Sequence, residues 1–154
     1  MNRKRSKSKK RVTVNTWTLE GAKKAAPYIA NIVESLREQH LAVRSHRRHA
    51  ERLHNRPGRA DRSVLIAEAD ANSQALKAEA GFDEAMAELN ALHIYTLDPL
   101  RGEAFVPFVH ADKLAWFVFD AFTPEDHIQQ WRYHDDPLEA RRPLAEALIQ
   151  PLPV

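Results

Sequence analysis

A cluster of arginine and histidine side chains stands out between residues 40 and 62. Arg44, Arg48 and Arg52 recur at four-residue spacing, which places them on one ridge if the segment is helical. A positive ridge of this kind suits the phosphates of RNA or an acidic protein surface. The cluster contains no Phe, Tyr or Trp, which argues against base-specific reading of single strands. The alternative is a solvated helix end that pairs with the acidic half of the chain.

A second basic segment, MNRKRSKSKKR, opens the sequence and contains no acidic residue. We predict a disordered tail over residues 1–15, because so few apolar residues cannot offset the entropy lost on ordering. The tail could act as a phosphate-binding arm that releases one counterion per neutralised phosphate, or as a solubilising terminus with no fixed partner. The residues predicted to contact an anionic partner are Arg3, Lys4, Arg5, Lys7, Lys9, Lys10, Arg11, Arg44, Arg47, Arg48 and Arg52.

Histidine and carboxylate residues near the other end of the sequence raise the question of a metal site. His127, His134 and Asp135 lie within one short segment and have the ligand types that zinc accepts, or that an acid and base pair would need. Two ligands from one loop do not make a site. The alternative is structural, with Asp135 or Asp136 capping a turn or pairing with a nearby arginine. The histidines of the arginine cluster are surrounded by cations that would repel a metal ion.

Size and composition limit the fold. A chain of 154 residues with 44% hydrophobic residues can bury one modest core, so we predict a single domain over residues 16–154. Without cysteine the chain has no disulfide, thiolate metal site or cysteine nucleophile, which fits a reducing compartment. It has four glycines and no phosphate-binding loop motif. No apolar stretch is long enough to span a membrane, and no apolar signal-peptide core follows the basic start.

The net charge of +2 hides two opposite halves. Residues 1–62 contain 17 basic and five acidic residues, a net charge of +12, whereas residues 63–154 contain six basic and 16 acidic residues, a net charge of −10. The halves can neutralise each other within one fold or between two copies of the chain. The second possibility predicts a homo-oligomer.

The first part of the domain, residues 16–92, has a helical pattern. Apolar residues follow three- and four-residue spacings from Leu19 to Leu36 and form one buried face, which fades into the cationic cluster. Thr16 or Thr18 can cap this helix. Pro27 either kinks the helix or marks its true start near Ala26, with a separate turn before it.

A second, alanine-rich helix is predicted after the break at residues 55–58. Asp61 or Ser63 can cap it, and it runs to about Ala91 with an interruption at Gly81. Two long helices joined by a short turn form an antiparallel hairpin, and the basic end of the hairpin should project beyond the core.

The second part, residues 93–154, changes to a strand pattern. Predicted strands cover residues 93–97, 105–109, 114–122 and 128–133, with Pro107 confining its strand to an edge. Residues 110–113 would close a hairpin, and residues 144–149 could form one or two helical turns. Trp116 and Trp131 fit a core, with the indole of Trp131 half buried under a polar rim. The fold class is α+β, a long antiparallel helical hairpin packed on a small antiparallel sheet.

Several short motifs resemble those of a family of small bacterial proteins of unknown function. Members open with T-L-E-E-A and a leucine-proline pair and continue with two long helices and a C-terminal β segment. The counterparts here are Thr18-Leu19-Glu20, Ala22, Ala26-Pro27, Gly102, Pro107, Leu114, Trp116, Asp120, Trp131, Arg141 and Pro143. Ala115 replaces the cysteine of the family, and Arg132 replaces its histidine after tryptophan. The resemblance implies a helical hairpin with a small antiparallel sheet and implies no activity.

Together these observations predict a cytoplasmic binding protein rather than an enzyme, with no cofactor and no membrane contact. Its partner would be RNA, the ribosome surface or an acidic protein surface. A homo-oligomeric scaffold whose basic and acidic halves pair between subunits is the first alternative. A metal-assisted hydrolase that uses His127, His134 and Asp135 is the second.

Overall fold

Two long helices and a four-stranded sheet form the fold in the computed structural model, which describes residues 14–123 and 126–148. This arrangement confirms the predicted α+β class. The elements in chain order are α1 (Leu19–His54), α2 (Arg62–Ala91), a 3-10 turn (Pro99–Arg101), β1 (Glu103–His110), β2 (Lys113–Asp120), β3 (Ile128–Tyr133), β4 (Arg142–Pro143) and α3 (Leu144–Leu148).

Helix α1 starts at Leu19 and continues through Pro27. Of the two predicted caps Thr18 is used, and its side chain accepts a hydrogen bond from the Gly21 amide at 3.0 Å. A start near Ala26 is therefore wrong. Ala22, Ala26 and Ile29 are all buried, and this burial on both sides of the proline favours continuing the helix despite the lost amide donor.

The connection between the helices follows the sequence signals. Asn55 ends α1, Gly58 adopts φ of 95°, and Asp61 caps α2 by accepting from the Val64 amide at 2.9 Å. The predicted interruption at Gly81 is wrong, because α2 is continuous through it. A Cβ at Gly81 would lie 2.8 Å from the Gln39 side chain, so the missing side chain serves close helix contact.

The sheet is an antiparallel meander in the order β1-β2-β3-β4. Ala111 and Asp112 have φ of 50° and 61° and form the tight turn between β1 and β2. Pro107 lies on the edge strand as predicted, and its carbonyl accepts from the Trp17 amide at 2.7 Å. The predicted strand at 93–97 is reduced to one bridge, between Tyr95 and Phe105.

One face of the sheet packs on the hairpin and forms the main core. Phe108, Phe117 and Trp131 on this face join the buried residues of α1 from Ala22 to Leu36. Phe105 and Trp116 on the opposite face form a second cluster with Tyr95. The sheet therefore covers only the first half of α1, and the second half lies beyond this core.

Candidate functional site

The far end of the helical hairpin projects beyond the sheet. Leu36 is the last residue of α1 in the core shared with the sheet, and in the described chain Ala50 is the one buried residue of α1 after it. The 18 residues that follow Leu36, up to His54, correspond to about 27 Å of helix. Along this length α1 packs on α2 mainly through small residues, because the buried residues of α2 there are Val64, Ala71, Ala75 and Ala78. The predicted projection is confirmed.

Arg44, Arg48 and Arg52 lie on this projecting part, and all three are exposed. Their four-residue spacing places them on one side of α1, the arginine ridge, with about 6 Å of helix rise between neighbours. Within the described residues no carboxylate lies at ion-pair distance from any of them. The ridge is therefore an array of cations on a helix that is fixed by its partner helix.

Arg47 has a different environment from the ridge. It points toward α2 and forms an ion pair with Glu79. His54 lies about two turns further on and contacts Glu68 at 3.0 Å. Arg47, predicted to contact a partner with the other arginines, thus pairs inside the chain, whereas the ridge does not. Pairing with the acidic half, which the sequence offered as the alternative, is therefore present at Arg47 and His54, while contact of the ridge with a partner stays a prediction.

The hairpin turn adds cations next to the ridge. Arg56 and Arg59 line a hollow of about 400 Å³ at the turn, together with His54 and Asp61. The hydroxyl of Ser63 is the main cause that lowers the pKa of Asp61, and the Val64 amide acts in the same direction. Asp61 is thus held as an anion that caps α2. The predicted contact residues of the tail, from Arg3 to Arg11, lie outside the described residues.

The proposed metal ligands are held apart. His127 lies just before β3 and His134 just after it, so a six-residue strand of about 20 Å separates them. His127 Nδ1 is 2.8 Å from the carbonyl of Asp120, and His134 Nδ1 accepts from the Trp116 indole at 3.1 Å. Within residues 14–123 and 126–148, no group of three metal-ligating side chains is placed to hold an ion.

Asp136 forms the ion pair that the sequence offered as the structural alternative. Its carboxylate accepts from Arg142 Nε at 2.8 Å and Arg142 Nη2 at 3.0 Å, and from the Tyr133 amide at 2.9 Å. The hydrogen bond from Arg142 is the main cause that lowers the pKa of Asp136 from its usual 3.8 to about 2. Arg142 also lies 4.8 Å from the Tyr133 ring centroid, so the pair fastens β4 to β3.

This pair predicts a pH-dependent contribution to stability. Because folding lowers the pKa of Asp136, its contribution should be complete above pH 3.8 and lost as the pH falls toward 2. We expect Asp136→Asn to lower the free energy of unfolding by about 1 to 2 kcal/mol at pH 6. This is less than the full energy of the pKa shift, because the side chain is 16% exposed and solvent screens the ion pair. Urea unfolding at pH 6 and pH 2.5 measures the difference, which should shrink at the lower pH. An unchanged difference would contradict an electrostatic role.

Sequence reasoning missed the buried residues of β3. Trp131 is 2% exposed rather than half buried, and Arg132 beside it is also 2% exposed. The polar neighbours of Trp131 in the sequence suggested a rim, but alternation along a strand sends Trp131 to the core and Arg132 to the opposite face. Arg132 is buried there because Tyr95 and the segment after β3 contact it. No local sequence signal identifies a buried arginine.

The described residues contain no helix that is both long and apolar enough to cross a membrane. The hairpin and sheet implied by the resemblance to the bacterial family are present, while membership in that family stays a prediction. No family model, curated protein or solved structure matches the chain.

Proposed function

We propose that this protein is a non-enzymatic binding protein that contacts RNA through the arginine ridge and the basic residues of its tail. The observation that carries the proposal is the arginine ridge itself, three exposed arginines with no carboxylate at ion-pair distance in the described chain. Four other described arginines, Arg47, Arg101, Arg141 and Arg142, do pair with carboxylates. Cations left unpaired in a chain of nearly balanced charge are available to an outside anion.

The rigidity of the hairpin supports the same function. Each ridge arginine lies on a helix that α2 braces along its length, so the positions of the cations are set before any partner binds. Binding then costs mainly the ordering of the arginine side chains, not of the backbone. Phosphate contacts of this type release counterions and give an affinity that falls steeply with salt.

The test is a triple charge reversal on the ridge, Arg44→Glu, Arg48→Glu and Arg52→Glu. Loss of three phosphate contacts should reduce the magnitude of the slope of log affinity against log salt by about 2.7. A slope of that size corresponds to an affinity change of about 40-fold between 50 and 200 mM salt. We therefore expect the variant to bind a labelled RNA at least tenfold more weakly at 50 mM salt and with a flatter slope. Fluorescence anisotropy titrations at several salt concentrations measure both quantities.

A matched control separates the position of the charges from their number. Lys23, Lys24 and Arg101 are exposed, lie away from the projecting end, and change the net charge equally when replaced with Glu. This control variant should bind within about threefold of the unmodified protein. An equal loss in both variants, or an unchanged slope in the ridge variant, would contradict the proposal. Deleting residues 1–11 in either background measures the contribution of the tail.

A homo-oligomeric scaffold remains the second candidate, because apolar side chains are exposed on the projecting part of α2. Leu65, Ile66 and Leu76 are 54%, 58% and 63% exposed. Such residues on a helix without a covering element favour association with a second copy. Light scattering of the same purified variants at low salt tests this, and a monomer in every sample would exclude it.

A further inference from the structure

The projecting end of the hairpin carries cations but no aromatic surface. Residues 41–81, which include the ridge and the turn, contain no Phe, Tyr or Trp. Proteins that bind single-stranded RNA stack the bases on aromatic side chains, and each stacked base contributes about 1 to 3 kcal/mol. Binding of a single strand here would therefore lack its usual source of affinity.

The geometry of the arginine ridge matches a rigid polyanion better than a flexible one. Arg44, Arg48 and Arg52 lie at intervals of about 6 Å of helix rise, on a ridge that turns by about 40° around the helix axis at each step. A flexible strand must be ordered to follow this ridge, and this ordering lowers the affinity. A double helix presents its phosphates at fixed positions already, so that cost is absent.

The width of the hairpin decides which part of a double helix it can reach. Two packed helices with axes about 8 to 10 Å apart and diameters of about 10 to 12 Å are too broad for the deep, narrow major groove of A-form RNA. The ridge can instead lie against the phosphates and 2′-hydroxyls at the surface. Contacts of that kind recognise shape and charge and do not read the sequence.

We infer that the RNA bound by this protein is double-helical and is recognised through its backbone by the arginine ridge. This inference rests on the proposed function and names its ligand class. It predicts a preference for duplex over single strand, little dependence on sequence, and loss of the preference when the ridge is reversed.

The experiment compares three fluorescein-labelled probes at 50 mM salt with the full chain. The probes are a 20-base-pair RNA duplex, one of its strands designed to be unstructured, and a second duplex of unrelated sequence. We expect the duplexes to bind within threefold of each other and at least tenfold more tightly than the strand. The ridge reversal should reduce the preference for duplex to less than threefold, whereas the control reversal should retain it.

Each other outcome has a distinct meaning. Equal or tighter binding of the single strand would overturn the inference and leave the proposed function standing. A strong difference between the two duplexes would overturn recognition through the backbone. Absence of binding to all three probes would overturn the proposed function together with the inference. A preference for duplex that survives the ridge reversal but disappears on deletion of residues 1–11 would place recognition in the tail, and the inference about the ridge would be wrong.

Discussion

Replacing Trp131 with alanine is expected to lower the free energy of unfolding by about 3 to 5 kcal/mol. Trp131 is among the largest fully buried side chains and contacts the rings of Phe108 and Tyr133 at centroid distances of 5.7 and 4.7 Å. Its indole nitrogen donates to the carbonyl of Pro143 at 3.1 Å, and Arg142 lies 5.4 Å from its ring centroid. The substitution therefore removes core volume and detaches β4 from the sheet.

Two further variants separate these effects. Trp131→Phe keeps a ring in the core but leaves the Pro143 carbonyl without its donor, which should cost about 1 to 2 kcal/mol. Phe122→Ala removes an aromatic ring that is 52% exposed and should cost about 1 kcal/mol or less. Urea unfolding followed by circular dichroism measures all three. A cost for Trp131→Ala no larger than that for Phe122→Ala would show that β3 does not hold the core together.

Replacing Arg132 with alanine is the second large expected change, about 2 to 4 kcal/mol. Arg132 donates to the carbonyls of Asp136 and His134 at 2.8 and 3.4 Å and to the hydroxyl of Tyr95 at 3.3 Å. Its guanidinium also lies 5.9 Å from the Phe105 ring centroid. Removing it would leave carbonyl groups without donors and open a space against Phe105.

The burial of the Arg132 charge destabilises the folded protein and so opposes the hydrogen bonds of this side chain. The Nε atom of Arg132 is buried and has no hydrogen-bond partner, and within the described residues no carboxylate forms an ion pair with the side chain. Burial is also the main cause that raises the pKa of Tyr95, with Arg132 opposing it. Desolvation of an unpaired cation costs several kcal/mol, on the order of the hydrogen bonds gained, which limits the expected loss.

Arg132→Met tests the balance between these effects. It keeps the apolar stem against Phe105, removes the donors and removes the buried charge. We expect it to be less stable than the unmodified protein but more stable than Arg132→Ala. Arg101→Ala, at a side chain 77% exposed, is the control and should cost about 0.5 kcal/mol or less. A methionine variant as stable as the unmodified protein would mean that the hydrogen bonds of Arg132 do not offset the cost of burying its charge.

The local signals in the sequence predicted most elements of the fold. The break before Pro57 was predicted, and each helix start uses one of the two caps that the sequence offered, Thr18 for α1 and Asp61 for α2, because caps and breaks depend on neighbouring residues. The apolar, aromatic run of β2, bounded by turn residues, predicted a strand for the same reason. The predicted interruption at Gly81 is wrong because that glycine packs against Gln39 of the other helix. The predicted strand at 93–97 is reduced to one bridge because only Tyr95 pairs with β1, at Phe105. Both outcomes depend on residues outside the local segment.

For the candidate site, too, the sequence predicted one part and left another to the tertiary structure. Charge and four-residue spacing in the sequence were enough to predict an arginine ridge on a projecting helix end. Whether those charges are free could not be predicted, because it depends on how α2 lies against α1. That packing brings Glu79 to Arg47 and brings no described carboxylate to Arg44, Arg48 or Arg52.

The sequence by itself determined the fold class, the break between the two helices and the separation of basic and acidic halves, since these follow from neighbouring residues and composition. Only the tertiary structure decided which charges meet. It paired Arg142 with Asp136, buried Arg132 beside Tyr95, and placed His127 and His134 at opposite ends of one strand. The physical reason is that ion pairs and burial act over a few ångströms, between residues whose distance in space is set by packing and not by their spacing in the chain.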